Sequence, residues 1–129
     1  MTLRRMTTKK FYGRAARGRR RQPSEGMNRT EAKYAGELEV RRLAGEIWAW
    51  WFEPLKLRLA DKTYYTPDFL VQHADDRLEF VEIKGHWEDD ARVKWKTAAE
   101  LCPWAWFTAI TVSRGGRKIE RLNDDADAG

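Results

Sequence analysis

Two short apolar runs, one on each side of a polar turn, limit what this chain can fold into more than any other feature. The first is Tyr64-Tyr65-Thr66-Pro67-Asp68-Phe69-Leu70-Val71; the second is Leu78-Glu79-Phe80-Val81-Glu82-Ile83-Lys84-Gly85. Both are rich in β-branched and aromatic residues, as strands are. His73 to Arg77 between them reads as a hairpin turn, without the Asn-Gly pair of the tightest hairpins. Three ionisable residues, Asp68, Glu82 and Lys84, stand where a core strand should carry none. Side chains alternate faces along a strand. Val81 and Ile83 therefore point one way, and Phe80, Glu82 and Lys84 the other. Asp68 shares a face with Thr66 and Leu70, so antiparallel pairing would bring Asp68 and Glu82 to one small region.

Two carboxylates in one place repel, and one must hold a proton unless positive charge is supplied. A divalent cation supplies it. Mg²⁺ takes oxygen ligands from one or two carboxylates and completes its shell with water and phosphate, and Mn²⁺ is the natural substitute. Lys84 beside such an ion suits the crowded charge of a phosphoryl transition state. The bland reading is a wet strand face with Asp68 as a turn residue after Pro67. Context weighs against it: Pro67-Asp68 lies inside one apolar run, and Glu82-Ile83-Lys84-Gly85 ends the other.

Pro67-Asp68 followed by Glu82-Ile83-Lys84 resembles the signature of the PD-(D/E)xK nucleases. The longer string Tyr65-Thr66-Pro67-Asp68-Phe69-Leu70, then Val81-Glu82, Lys84-Gly85, Trp87-Glu88, Asp90 and Arg92, is similar to the active-site region of the junction-resolving enzymes of that superfamily and of small phage proteins built on the same core. The resemblance spans roughly residues 28 to 113. It implies a metal-dependent endodeoxyribonuclease of phage DNA metabolism. The implied substrate is branched or four-way-junction DNA first, and nicked or flapped DNA next. It implies catalytic roles for Glu31, Asp68, Glu82 and Lys84. The implied ligands of Mg²⁺ or Mn²⁺ are Asp68, Glu82, the backbone carbonyl of Ile83, and Glu31. Homodimerisation is implied by analogy. The alternative is a nucleic-acid-binding accessory protein whose nuclease core is silent.

At 129 residues the chain suits one domain with one modest core. Its net charge of +5 is unevenly spread. Residues 1 to 28 carry nine basic residues against Glu25 alone, a net of +8, which leaves −3 for the rest. Residues 1–27 read as a disordered basic arm, residues 28–122 as the nuclease domain, and residues 123–129 as a disordered acidic tail. Arg17, Arg19, Arg20 and Arg21 in the arm are candidate phosphate contacts, and Lys94 is another. Lys94 is equally an ordinary surface charge. One cysteine, Cys102, excludes an internal disulfide. With no long apolar run, the expectation is a cytoplasmic protein with no membrane partner. The seven tryptophans read chiefly as core, and as base-stacking platforms only secondarily.

The expected fold is α/β: a restriction-endonuclease-like core with a mixed four- to five-stranded sheet flanked by helices, in the order α-β-β-β-β-α-β. Asn28 caps a first helix running to about Ile47, and Glu31 completes a capping box. The box is also the structural explanation for Glu31. Ala32, Gly36, Val40, Leu43 and Ile47 form its apolar stripe, with Glu31, Tyr34, Ala35 and Leu38 on a second face. Ile47 to Phe52 and Leu55 to Leu59 read as strands, the latter pairing with the Pro-Asp strand as a hairpin. A second helix spans about Asp89 to Cys102, with Ala91, Trp95, Ala98 and Cys102 inward and Pro103 ending it. Trp104 to Val112 reads as an internal strand, and Lys118 to Leu122 as a short edge strand or helix.

Overall fold

A computed structural model describes residues 26–124. The first helix, α1 (Arg29–Leu43), opens on the expected capping box. Asn28 Oδ1 accepts from the Glu31 backbone N–H at 2.8 Å, and the Glu31 carboxylate accepts from the Asn28 N–H at 2.9 Å. The helix closes earlier than its periodicity suggests. The Glu46 N–H donates to the Arg41 carbonyl and the Gly45 N–H to that of Arg42, the bond pair of a Schellman ending. Gly45 takes a φ of +82°, which costs glycine nothing. Ile47 therefore begins a strand instead of ending the helix.

The inward face of α1 also differs from the expected stripe. Tyr34, Ala35 and Leu38 are buried, whereas Val40 is 67 % exposed and Leu43 72 % exposed. A tyrosine ring and a leucine bury more apolar area than a stripe that includes Ala32 and Gly36, so the helix turns its second face to the sheet.

The strands are β1 (Ile47–Phe52), β2 (Leu57–Ala60), β3 (Thr63–Tyr65), β4 (Phe69–His73), β5 (Leu78–Lys84), β6 (Trp106–Ser113) and β7 (Gly116–Leu122). A second helix, α2 (Asp89–Leu101), joins β5 to β6. A five-stranded sheet has the order β1-β4-β5-β6-β7, and β2 and β3 form a separate ribbon. β5 and β6 are parallel, as the α2 crossover between them requires, and the other pairs are antiparallel. The α/β class and the mixed sheet agree with expectation; the element order is longer, α-β-β-β-β-β-α-β-β.

Of the two added strands, one is β7 and the other comes from a break at Pro67. Proline has no N–H for a ladder and disrupts central strands. The expected single Pro-Asp strand is therefore two: β3 in the ribbon and β4 in the main sheet. Lys118 to Leu122 falls within β7, which is a strand at the sheet edge and not a helix.

Alternation places Phe69, Val71, Val81 and Ile83 under α1, where they pack with Tyr34, Ala35 and Leu38. The opposite face carries Phe80, Phe107 and Ala109, which pack with Trp95, Ala98 and Ala99 of α2 and with Tyr65 of the ribbon. Ala91 and Cys102, expected inward on α2, are only partly buried. The domain ends also move slightly. Met27 packs against the α1-side core. Asn123 donates its amide to the carbonyls of Ala99, Cys102 and Ala105, so both residues belong to the folded unit. Residues 1–25 of the expected arm, with Arg17, Arg19, Arg20 and Arg21, and residues 125–129 of the expected tail lie outside the described residues. Among the described residues no helix is long and apolar enough to cross a membrane.

Candidate active site

Asp68 and Glu82 owe their juxtaposition to register. β4 and β5 pair with Phe69 opposite Val81 and Leu70 opposite Phe80, and one step further along the hairpin Asp68 faces Glu82. Asp68 stands just outside β4, where Pro67 has ended the ladder. There its side chain replaces a backbone acceptor: Oδ2 takes the Ile83 N–H at 2.8 Å. A strand residue sends its N–H and C=O to the same side, so the Ile83 carbonyl also faces the flank beside Asp68.

Both acids are nearly dry, with Asp68 8 % and Glu82 4 % exposed. Glu82 is held at both oxygens. The Tyr65 hydroxyl donates to Oε1 at 2.7 Å, and the Lys84 ammonium lies 3.1 Å from Oε2. Burial, and then the charge of Glu82, pushes the Asp68 carboxyl up to about 7. Glu31 pushes it the same way, while the Ile83 N–H and Lys84 oppose. Partial burial works against the Lys84 ammonium, but Glu82, Asp68 and Glu31 outweigh it and hold Lys84 above its usual range. Burial and Glu82 likewise raise the Tyr65 phenol, which stays a donor.

The remaining expected site residues divide. Glu31 is near enough for its charge to act on Asp68 and Lys84. Its carboxylate is engaged at the Asn28 N–H, and among the described residues no three His, Cys, Asp or Glu side chains gather to hold a metal. The structure thus assembles Asp68, Glu82 and Lys84 but not a three-acid cage. Lys94 is exposed on α2.

Two features went unread in the sequence. One is Tyr65, whose signal is its position directly before Thr66-Pro67-Asp68, at the end of the ribbon that covers Glu82. The other is an acid on the wrong face of β5. Glu79 alternates with Val81 and Ile83, so it points under the apolar face at the strand's far end. There it is buried, bonded to His73 Nε2 at 2.7 Å, Thr108 Oγ1 at 2.5 Å and Arg121 Nη2 at 3.1 Å. Burial alone would raise its pKa, but these partners and the Arg121 charge hold it below the usual carboxylate range. This network is fully paired, as a buried carboxylate must be.

The donor set fits a hard divalent cation of modest coordination demand. Asp68 Oδ1 has no partner among the described residues, and its sister oxygen is locked. The adjacent Glu82 makes a second negative charge that only a proton or a cation relieves. Two carboxylates with a backbone carbonyl are a sufficient protein share for Mg²⁺. No family model, curated protein or solved structure matches the chain.

Proposed function

We propose that this chain is a metal-dependent endodeoxyribonuclease of the PD-(D/E)xK type, hydrolysing phosphodiester bonds in branched or junction DNA in phage DNA metabolism. One observation carries the reading: two nearly buried carboxylates, Asp68 and Glu82, meet at adjacent strand ends with the Lys84 ammonium 3.1 Å from one of them. Burying two like charges together is costly, and the pushed-up Asp68 carboxyl records that cost. A fold keeps such a pair at a strand end most readily when its unfavourable charge has a use.

Asp68, Glu82 and the Ile83 carbonyl would hold the cation, with Glu31 near enough to add negative charge. A bound Mg²⁺ or Mn²⁺ supplies Lewis-acid charge to a phosphodiester and lowers the pKa of water. The chain's own groups do the rest. The Ile83 N–H fixes one Asp68 oxygen and leaves the other for binding. Tyr65 fixes the Glu82 rotamer from the buried side. Lys84, charged and paired with Glu82 at 3.1 Å, is a compact positive point where charge develops on the transferring phosphoryl group.

The test is cleavage of linear, nicked, flapped and four-way-junction DNA with Mg²⁺ or Mn²⁺, comparing wild type with Asp68→Ala and Lys84→Ala. Each variant should lose at least about 100-fold in rate, the scale of a lost electrostatic stabiliser. Equal activity in all three proteins would dispose of the assignment. One observation favours a second reading, binding of nucleic acid without cleavage: no three ligating side chains gather among the described residues. Calorimetry with Mn²⁺ separates the two, since a silent core takes up no ion.

A further inference from the structure

Lys84 has a second lysine in its own row of the sheet. It pairs with Thr111 of β6, and Thr111 pairs in turn with Lys118 of β7. Residues directly opposite one another in a sheet share a face, so Lys118 lies on the face that carries Glu82 and Lys84. Neighbouring strands are ~4.8 Å apart, which sets the two lysine backbones about 10 Å from each other. Thr111, partly buried, falls between them.

Beyond this row β6 continues to Ser113 and turns at Arg114 and Gly115. The β6–β7 hairpin therefore overhangs the end of β5 by roughly 7 Å, at ~3.3 Å per residue. Residues 113–119 are all exposed, and they include Arg114, Arg117 and Lys118 but no acid. Arg117 is engaged by Glu37 of α1. Arg114 and Lys118 form no ion pair among the described residues.

The surrounding charges give the row a direction. Glu120, the next acid on this face of β7, is held by Arg92. Glu88, Asp89 and Asp90, where α2 starts, are exposed, and they repel a polyanion from the α2 side of Lys84. A phosphodiester chain seated at Lys84 is thus repelled towards α2 and attracted towards the β7 edge. One DNA strand carries a phosphate per ~3.4 Å of rise, so a span of about 10 Å reaches roughly the third phosphate along.

We propose that Lys118 and Arg114 form a phosphate-binding subsite, and that the cleaved strand crosses the sheet from Lys84 over Thr111 to Lys118, with Arg114 meeting the backbone beyond. The proposal rests on the nuclease reading for the role of Lys84. It adds the path of the strand and two residues that position it.

The full-length chain in EDTA is titrated with a short fluorescent DNA duplex over a series of salt concentrations. Loss of one phosphate contact lowers the salt slope by about 0.9 and, at ~0.1 M salt, the affinity by about eightfold, the release of one counterion. Lys118→Gln and Arg114→Gln should each show that loss. Lys118→Arg should keep the parent slope, and Lys96→Gln, an exposed lysine on α2, should change neither quantity. Thermal melts of the variants should match the parent, since neither side chain is paired. An unchanged slope in Lys118→Gln, or an equal loss in Lys96→Gln, would overturn the proposal. The titration needs neither metal nor cleavage, so its failure leaves the carboxylate centre standing. A protein that binds through this row but cleaves nothing would instead overturn the nuclease reading alone.

Discussion

Tyr65 acts on Glu82 from the buried side of the carboxylate. Its ring packs among Phe80, Trp95 and Phe107, and only its hydroxyl meets the acid, at 2.7 Å. Tyr65→Phe should therefore fold, since the ring keeps its packing. It leaves Glu82 Oε1 short of a donor, a loss of about 1–3 kcal/mol for a buried acceptor. If Glu82 binds the ion, its orientation loosens and Mn²⁺ affinity should fall about tenfold or more, the usual scale for a partner of a metal ligand. Calorimetry reads that directly; unchanged affinity alongside lowered stability would leave Tyr65 a purely structural residue. At this scale the sequence was readable where a residue's own neighbours determine its face. Asp68, Glu82 and Lys84 follow from alternation along one hairpin. Tyr65 and Glu79 were missed because their partners come from elsewhere: a ribbon folded back over the sheet in one case, strands β6 and β7 in the other.

Among the elements, α1 shows how far periodicity reaches. Its apolar residues fall on two faces, and hydrophobicity alone does not choose between them. The choice is made by the sheet, whose Phe69 accepts the Tyr34 ring at 5.4 Å in an edge-on contact. Leu38→Ala on the buried face should cost about 2–5 kcal/mol. Leu43→Ala on the face first expected inward should stay within about 0.5 kcal/mol. Urea unfolding of the two variants checks this, and similar losses would mean that α1 is rotated from the orientation described. The early end of the helix was legible in principle, because Gly45 is the residue that a left-handed ending selects. The split of the Pro-Asp strand was legible too, since Pro67 cannot pair. Which of the two pieces joins the main sheet was not, because ribbon and sheet compete for the same strand-like residues.

For the whole molecule, the crowded acid pair becomes a pH dependence. The Asp68 carboxyl, pushed up to about 7 by burial and Glu82, binds its proton more tightly in the folded chain than in the unfolded one, where an aspartate titrates near ~3.9. Between those values the native state holds the extra proton, so its stability falls as pH rises. The loss is complete above about pH 7 and amounts to at most ~4 kcal/mol, from about three units at ~1.36 kcal/mol each. Metal-free wild type should thus melt several degrees lower at pH 8 than at pH 5. Asp68→Asn, which cannot ionise, should flatten that difference and be the more stable protein at pH 8. Parallel thermal melts in EDTA test this; a mutant that tracks the wild type at both pH values would place the sensitivity elsewhere.

The break at Pro67 bears on how the molecule comes together. Asp68, Glu82 and Lys84 all sit on or beside one hairpin, so they meet as soon as β4 zips against β5, a step that closes only a short loop. Their exclusion from solvent comes from elsewhere in the chain: the β2–β3 ribbon lays Tyr65 over Glu82, and α2 packs behind it. Because short loops close at lower entropic cost, the acids are expected to become neighbours while still hydrated, with the electrostatic penalty deferred until the cover closes.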